Sequence, residues 1–209
     1  MIAGAVLAGG KSRRFGRNKA LEVFQGLRLI DRAVMNLSRV CDAVMVVAND
    51  LLPYADMDLL LVRDIVPQFG PLAGIFTALY FSPHSWVFVR ATDMPFLDPS
   101  LAHAMTAFTH LPRVDVVVLK KEEKFEPLMA LYHVRCLPHI RRCIESDQRQ
   151  IISFYRNVRV YAVEESQWRR YDPEGRSLWN INTPEDYEQM LELWKTLDST
   201  ESGGTNPEP

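Results

Sequence analysis

Unbroken apolar runs alternate along the chain with segments whose apolar residues recur at helical spacing. The runs predict buried strands at Ile2–Leu7, Ala43–Ala48 and residues 59–62, 86–89 and 114–119. Runs without polar alternation are typical of strands that are covered on both faces, as in a parallel sheet with helices above and below. The apolar spacing between the runs predicts helices over 30–41, over Pro71–Phe81 with proline in the first turn, and after Asp98.

The second half of the sequence is less regular. It predicts helices near 136–146 and 149–156, a strand near 159–163, and a final helix from Pro184 to about Leu197. Thr183 is the predicted N-cap of that helix, because its hydroxyl can accept a hydrogen bond from an amide of the first turn. Two shorter features are predicted as well: a small hairpin formed by residues 21–24 and 27–29, and a charged loop over 120–124 before the segment 125–132.

The alternation of strands and helices predicts a doubly wound α/β fold, with a mostly parallel sheet flanked by helices. The chain has 209 residues, 47% of them hydrophobic, which is enough for one well-buried core. We therefore assign residues 1–197 to a single domain. The polar residues 198–209 are expected to form a disordered tail.

Polar or glycine-rich positions follow the ends of four predicted strands. They are the glycine loop after Ile2–Leu7, Asn49, Asp64 and Asp93. Ligands of open α/β sheets bind at the carboxyl ends of the strands. We therefore expect these four positions to converge on one crevice.

Charge and composition limit the possible functions. A formal net charge of −2 argues against a nucleic-acid-binding protein held by general electrostatics. The sequence has neither a leader pattern at its start nor an apolar run near the length of a membrane helix, so we expect a soluble, cytoplasmic protein without a membrane partner. Cys41, Cys136 and Cys143 lack metal-ligand spacing and are expected to be buried free thiols.

The segment after the first strand combines two glycines with a cluster of cations. Gly9-Gly10 allows a sharp turn whose amide groups can face an anion. Five cations follow: Lys11, Arg13, Arg14, Arg17 and Lys19. A solvated basic turn would explain the charges alone, but not charges on a Gly-Gly turn after a buried strand. The segment therefore predicts a phosphate-binding loop.

The spacing of this loop excludes two well-known phosphate-binding motifs. A Walker loop ending in Gly10-Lys11-Ser12 would need glycine at position 5, which is Ala5. The dinucleotide fingerprint fails as well, because the glycine after Gly9-Gly10 comes only at Gly16.

Five motifs follow one another along the chain. They are Leu7-Ala-Gly-Gly10 with its cations through Lys19, Gly70-Pro-Leu-Ala-Gly74, Asp93-Met-Pro-Phe96, Glu126-Pro-Leu-Met-Ala-Leu-Tyr132 and Asn180-Ile-Asn-Thr-Pro-Glu-Asp186. In this order they resemble the motifs of the molybdenum cofactor guanylyltransferases and, behind them, the wider nucleotidyltransferases. The resemblance implies a Rossmann-like nucleotide-binding sheet. It also implies transfer of GMP from GTP to the terminal phosphate of molybdenum-loaded molybdopterin, with release of pyrophosphate.

Such a transfer builds negative charge on the reacting phosphates, so catalysis depends on positioning and charge stabilisation. Asp93 is the expected Mg²⁺ ligand, since Mg²⁺ takes one or two carboxylates and completes its shell with phosphate oxygens and water. An ordinary turn-forming aspartate is the alternative. The resemblance implies that Lys19 contacts the phosphates in the transition state and that Arg14 assists it. Asn18 stands where the family usually has aspartate, and it makes the loop more cationic.

The remaining candidate residues divide between the nucleotide and its acceptor. The candidate nucleotide site comprises Leu7, Ala8, Gly9, Gly10, Lys19, Asn49, Asp64, Gly70 and Asp93. The candidate acceptor side, which rests on the resemblance, comprises Glu126, Pro127, Tyr132, Asn180 and Asn182. The resemblance also implies a preference for GTP over CTP, because guanylyl-transferring members share Leu-Ala-Gly-Gly and Gly-Pro-Leu-Ala-Gly with this chain, whereas cytidylyl-transferring relatives have Leu-Ala-Ala-Gly. The expected physical reason is that Gly9 leaves room for a purine, while Gly70 and Gly74 allow loop groups to pair with guanine.

Two other functions remain open at this point. A cytidylyltransferase or sugar-phosphate nucleotidyltransferase would use Asp93 and Lys19 equally well. A non-catalytic nucleotide-binding carrier or regulator in cofactor delivery would explain Asn18 as a sign of weakened catalysis. The expected partners are GTP and molybdenum-molybdopterin, then other cofactor-synthesis proteins and recipient molybdoenzymes, with no nucleic acid.

Overall fold

The computed structural model describes residues 1–8 and 18–201, with side chains described as far as residue 192. Its strands are β1 Ile2–Leu7, β2 Val23–Phe24, β3 Leu27–Arg28, β4 Ala43–Ala48, β5 Leu60–Arg63, β6 Trp86–Ala91, β7 Val116–Lys121, β8 Lys124–His133 and β9 Val160–Val163. Its α-helices are α1 Leu29–Ser38, α2 Pro71–Phe81, α3 Pro99–Ala107, α4 Leu137–Glu145, α5 Glu165–Trp168 and α6 Pro184–Glu201.

Seven of these strands form one sheet in the order β5-β4-β1-β6-β8-β7-β9. Neighbouring strands are parallel except at β8, which runs antiparallel to both β6 and β7. β1 lies inside the sheet, where Gly4 is paired with Val44 of β4 and with Phe88 of β6. The prediction of a mostly parallel sheet is confirmed.

Helices cover both faces of this sheet. One core layer packs Ala5 and Leu7 of β1 against α2 and α4, and the other packs Val6 against α1 and α3. Burial on both faces explains why the strands are unbroken apolar runs in the sequence. Gly4 permits the close approach of α1, because a Cβ at this position would lie 3.1 Å from the Cβ of Leu37.

The segment 120–124 differs from the predicted loop. β7 and β8 extend through Lys121 and Lys124, so that only Glu122 and Glu123, with φ of 46° and 64°, form the turn between them. The charged residues are tolerated because this end of the hairpin is exposed or half-buried. The short hairpin of β2 and β3 was predicted correctly, with Gln25 and Gly26 at positive φ in its turn.

Two predicted helices also differ in detail. Residues Ile151–Asn157 form a 3₁₀-helix where an α-helix was predicted. α6 continues beyond the predicted boundary at residue 197 and reaches Glu201, while residues 202–209 of the predicted tail lie outside the described residues. Among the described residues, no helix combines the length and the apolar character that crossing a membrane requires.

Candidate active site

The carboxyl ends of four neighbouring parallel strands form one edge of the sheet. Leu7 ends β1 and Ala8 follows it, Asn49 follows β4, Asp64 follows β5, and Asp93 comes shortly after β6. In the order β5-β4-β1-β6 these ends lie side by side. At about 4.8 Å between strands, the ends of β5 and β6 are roughly 14 Å apart. An elongated ligand can span that distance.

Lys19, Asp93 and Asn182 meet at the β6 end of this edge. Lys19 Nζ lies 3.0 Å from Asp93 Oδ2 and 3.3 Å from Asn182 Oδ1. The side chains of Lys19 and Asp93 are 13% and 24% exposed, so a ligand can reach the ion pair from one side. Three separate segments of the chain therefore bring a cation, a carboxylate and an amide oxygen together.

Asn18 and Tyr54 fix the backbone that presents Lys19. Asn18 Oδ1 accepts a hydrogen bond from the Ala20 amide at 3.1 Å and so caps the short 3₁₀ turn Lys19–Leu21. Asn18 Nδ2 donates to the hydroxyl of buried Tyr54 at 3.2 Å, and that hydroxyl donates to the Ala8 carbonyl at 3.4 Å. Asn18 thus has a structural role at the end of β1.

Arg90 holds the loop that carries Asp93. Its side chain is completely buried, and its Nη2 donates to the carbonyls of Met94 at 3.0 Å, Phe96 at 2.5 Å and Ser177 at 3.3 Å. Burial lowers the pKa of Arg90 to about 9, partly offset by the negative charge of Asp93, so the guanidinium remains charged at neutral pH. Arg90 therefore links the loop after β6 to the segment before α6.

The same segment is tied directly to Asp93 and to the start of α6. The Ile181 amide donates to the Asp93 carbonyl at 2.9 Å. Asp186 Oδ2 accepts from the amides of Asn182 at 2.8 Å and Thr183 at 2.9 Å, and these hydrogen bonds lower the pKa of the carboxyl. The Thr183 hydroxyl accepts from the Asp186 amide at 3.1 Å, as expected of the predicted N-cap.

Asn180 lies just before this cap. Its side chain is exposed and donates to the Leu178 carbonyl at 3.1 Å. Asn182, in contrast, is bound at its backbone by Asp186 and at its side chain by Lys19. Of the two predicted asparagines, the structure therefore brings Asn182 into the cluster.

Asn49 and Asp64 organise the loop between β5 and α2. Asn49 Oδ1 accepts from the Gln68 amide at 3.2 Å. Asp64 is buried, and its Oδ1 accepts from the Val66 amide at 3.1 Å and from the Thr77 hydroxyl at 2.8 Å. Burial raises the pKa of Asp64, while these two hydrogen bonds oppose the rise.

Gly70 and Gly74 have different roles, although both belong to one motif. Gly70 caps the N-terminus of α2 with φ of 106°, a conformation that only glycine adopts readily. Gly74 lies within α2 and is buried, and a Cβ there would lie 3.2 Å from the Leu7 side chain. The expectation that Gly74 offers loop groups to guanine is therefore wrong, because this glycine serves close packing of helix on strand.

Three of the five predicted acceptor-side residues, Glu126, Pro127 and Tyr132, lie on β8. Glu126 and Pro127 are half-buried, and burial raises the pKa of the Glu126 carboxyl against a smaller opposite effect of Lys121. Tyr132 is completely buried; its hydroxyl donates to the Pro127 carbonyl at 2.7 Å and lies 2.9 Å from the Tyr155 hydroxyl. Tyr132 can therefore act at the acceptor side only by holding Pro127, which corrects the expectation that it lines the site.

Three predicted residues, Gly9, Gly10 and Arg14, lie outside the described residues. Within residues 1–8 and 18–192, no three His, Cys, Asp or Glu side chains are clustered as a metal cage. Asp93 and Asn182 nevertheless fit a Mg²⁺ ion, which needs only one or two carboxylates in addition to substrate oxygens and water. The Lys19 ammonium already contacts one oxygen of each, so a single cation can reach both.

Sequence reasoning assigned no role to three residues that position the site: Arg90, Tyr54 and Asp186, the last of which closes the fifth motif. Arg90 was the most visible of them, since an arginine directly after the apolar run 86–89 is unusual on a buried strand. The predicted strand ended before Arg90 because the charge interrupts the run. Only the tertiary structure shows that β6 continues to Ala91 and buries the guanidinium.

Comparisons with known proteins agree with this geometry. Residues 4–160 match the family model of the MobA-like NTP transferase domain. The chain is 38% identical over 189 residues to the molybdenum cofactor guanylyltransferase of Desulfosudis oleivorans, covering 90% of this chain and 93% of that protein. It is 35% identical over 190 residues to the probable molybdenum cofactor guanylyltransferase of Carboxydothermus hydrogenoformans, covering 91% of this chain and 95% of that protein. The crystal structure of molybdopterin-guanine dinucleotide biosynthesis protein A from Archaeoglobus fulgidus superposes on this structure with a TM-score of 0.82 at 27% identity, covering 93% of this chain and 99% of that chain.

Proposed function

Because the chain belongs to the molybdenum cofactor guanylyltransferases of the MobA-like NTP transferase family, we propose that it transfers GMP from GTP to molybdenum-loaded molybdopterin. The terminal phosphate oxygen of the acceptor attacks the α-phosphorus of GTP. One P–O bond forms, the bond to the β-phosphate breaks, and pyrophosphate leaves. The transfer is direct, so the protein has to supply no nucleophile.

The contact of Lys19 with Asp93 and Asn182 is the observation that carries this proposal. Charge develops on the α-phosphate oxygens and on the leaving pyrophosphate, and a fixed cation in a partly buried site stabilises it. Lys19 is such a cation, since the Asn18 cap and the Tyr54 hydroxyl fix the backbone from which it projects. Arg14, five residues earlier in the sequence, is the proposed second cation.

We propose that the divalent metal ion is Mg²⁺ and that its protein ligands are the Asp93 carboxylate and the Asn182 amide oxygen. When bound, Mg²⁺ neutralises charge on the phosphates and orients them. Arg90 and Asp186 act through these two ligands: Arg90 holds the loop of Asp93, and Asp186 holds the backbone of Asn182. They are positioning residues in this proposal.

The base is proposed to lie toward β4 and β5. Asn49 Nδ2 and Asp64 Oδ2 have no partner in the part of the chain that the structure describes, because each side chain uses only its other polar atom. A carboxylate oxygen can accept from guanine N1–H and the 2-amino group, whereas cytosine has no equivalent pair of donors. The exposed backbone of Gly70 lies in the same loop region, at the start of α2.

Pyrophosphate release tests the proposal against the non-catalytic alternative. The purified protein is incubated with GTP, Mg²⁺ and molybdenum-molybdopterin, and each component is omitted in turn. We expect release only with all three present. Binding of GTP in a thermal-shift assay without any pyrophosphate release would instead support the carrier or regulator. Turnover with a sugar phosphate but not with molybdopterin would support the sugar-phosphate enzyme.

The proposed substrates are therefore GTP and molybdenum-molybdopterin, and the proposed place of action is the cytoplasm, where GTP is available. Recipient molybdoenzymes and other cofactor-synthesis proteins remain proposed partners of the product.

A further inference from the structure

A concave site lies at the edge of the sheet opposite the edge that ends near Asp93. It is a cleft of about 490 Å³ lined by Arg113, Asp115, Arg135, His139 and Arg159. Asp115 directly precedes β7, Arg135 follows β8, and Arg159 directly precedes β9. β7 and β9 are parallel to each other, and both β6 and β7 are antiparallel to β8. The amino ends of β7 and β9 therefore lie at the far edge from the carboxyl end of β6.

Asp115 organises this cleft by binding two of its arginines. Its Oδ1 accepts from Arg135 Nε at 2.6 Å, and its Oδ2 accepts from the Arg159 amide at 3.1 Å. Arg135 Nη2 also donates to the Val114 carbonyl at 2.6 Å, which fixes the plane of the guanidinium. Burial alone would raise the pKa of Asp115, but the hydrogen bonds from Arg135 and the Arg159 amide lower it. The carboxylate is therefore ionised and the frame is preformed at neutral pH.

The cleft carries more positive charge than this frame neutralises. Asp115 balances Arg135, whereas the exposed guanidinium groups of Arg113 and Arg159 make neither a hydrogen bond nor an ion pair with any residue in the described ranges. Two positive charges thus face the same cavity without a counter-charge. His139, also part of the lining, has a buried Nδ1 without a hydrogen-bond partner among the described residues.

We propose that this cleft binds a small molecule through a phosphate or diphosphate group. Guanidinium groups match phosphate oxygens in a bidentate geometry, and several of them around one cavity favour a dianion over a single carboxylate. The volume lies in the range of small-ligand sites. A protein partner would need a far larger contact surface than five side chains offer. The site is distinct from the crevice of Lys19 and does not depend on the proposed GMP transfer.

Isothermal titration with inorganic pyrophosphate tests this proposal. Pyrophosphate can also enter the Lys19 crevice, so the titration uses the full chain with Lys19→Ala as the reference protein, at about 0.15 M salt to screen weak surface attraction. We expect the reference to bind pyrophosphate. The triple variant, which adds Arg113→Gln and Arg159→Gln to Lys19→Ala, is expected to bind pyrophosphate about tenfold or more weakly than the reference. Acetate is expected to bind neither the reference nor the triple variant.

Arg170→Gln in the same Lys19→Ala background is the matched control, because Arg170 is an exposed arginine outside the cleft. It is expected to leave pyrophosphate binding unchanged. An equal loss in the Arg170→Gln control, unchanged binding in the Arg113→Gln/Arg159→Gln protein, or acetate binding as tight as pyrophosphate would each overturn the proposal. All side chains exchanged at the cleft are solvent-exposed, and thermal unfolding verifies that the variants are folded. Absence of GMP transfer by the wild type would overturn the proposed function but not this site.

Discussion

At the scale of single residues, the candidate site consists of one cation in contact with two side-chain oxygens. Lys19 Nζ contacts Asp93 Oδ2 and Asn182 Oδ1 at 3.0 and 3.3 Å. Because the three residues belong to segments far apart in the sequence, their contact is difficult to explain as local turn formation. The arrangement instead suits a reaction in which charge on several phosphate oxygens has to be balanced within a small volume.

Asp93→Asn is expected to lower turnover by orders of magnitude while the protein remains folded. The substitution removes the carboxylate proposed to hold Mg²⁺. The fold should persist, because the hydrogen bond from the Ile181 amide goes to the Asp93 backbone carbonyl and is retained. Pyrophosphate release and thermal unfolding, measured on the same preparation, check both statements. Near-normal Mg²⁺-dependent turnover would show that the ligand assignment is wrong.

Lys19→Ala is expected to raise the barrier to transfer by about 2–4 kcal/mol, as for the loss of one donor that stabilises charge in the transition state. Asn18→Asp is the matched control in the same loop. It keeps the oxygen that caps the 3₁₀ turn and loses only the donor to Tyr54, so its effect should be mild. Steady-state kinetics with GTP measure both. If Lys19→Ala keeps wild-type activity while Arg14→Ala is inactive, Arg14 is the main phosphate-binding cation and Lys19 only assists.

The three cysteines are expected to resist alkylation in the folded protein, although Cys41 is half-buried where burial was predicted and only Cys136 and Cys143 are buried. Burial raises the pKa of both Cys41 and Cys136 to about 12, and it also raises the pKa of Cys143. Only the thiolate reacts rapidly, so only a small fraction of Cys41 and of Cys136 is in the reactive form at about pH 8. Mass spectrometry after iodoacetamide treatment should find unmodified cysteines in buffer and full modification in denaturant. Rapid labelling of Cys136 in buffer would contradict its burial.

At the scale of elements, β6 leads into the loop of Asp93 and anchors the segment that returns to that loop. Arg90 bridges the Asp93 loop and Ser177 from a fully buried position, and the Ile181 amide adds a second link. A buried charge of this kind is expensive unless its hydrogen bonds are made. Arg90 Nη2 donates three such hydrogen bonds, and they fix the loop that carries Asp93, the proposed metal ligand.

Arg90→Met is expected to reduce both stability and turnover. The substitution leaves the Met94 and Phe96 carbonyls of the Asp93 loop without their donor. Each buried acceptor left unsatisfied lowers the free energy of unfolding by about 1–3 kcal/mol. This loss outweighs the stability gained by removing a buried charge. A positioning role further predicts a higher Mg²⁺ concentration for half-maximal activity, partly restored in Arg90→Lys. A lower unfolding temperature with unchanged kcat and Mg²⁺ dependence would instead mean that Arg90 is only structural.

The elements that depend on local pattern could be predicted from the sequence. α2 was predicted with its observed bounds, because Pro71 suits only the first turn and the apolar run after it is continuous. The charged end of the hairpin at Lys121 and Lys124 could not be predicted, because pairing between β7 and β8 depends on the neighbouring strand and not on composition. The 3₁₀ form of Ile151–Asn157 is likewise set by tertiary packing.

At the scale of the whole molecule, the sheet offers two edges with different chemistry. The edge with Asp93 combines a carboxylate, an amide oxygen and Lys19, whereas the opposite edge presents arginines around Asp115. Residues that follow parallel strands share one edge of a sheet, so the alternation of strands and helices was enough to group Asn49, Asp64 and Asp93. Arg90 and the burial of Tyr132 could not be predicted, because they depend on which segment returns over each strand.

A competition between GTP and CTP tests the central claim most directly. The wild-type protein is supplied with molybdenum-molybdopterin, Mg²⁺ and both nucleotides at equal concentration, and the dinucleotide product is identified by mass spectrometry. A site whose polar groups pair with guanine leaves them unpaired when a smaller base enters, which opposes transfer from CTP. We predict that the guanine dinucleotide exceeds the cytosine dinucleotide by about a hundredfold or more. Equal incorporation of both bases, or a preference for CTP, would contradict guanylyl transfer.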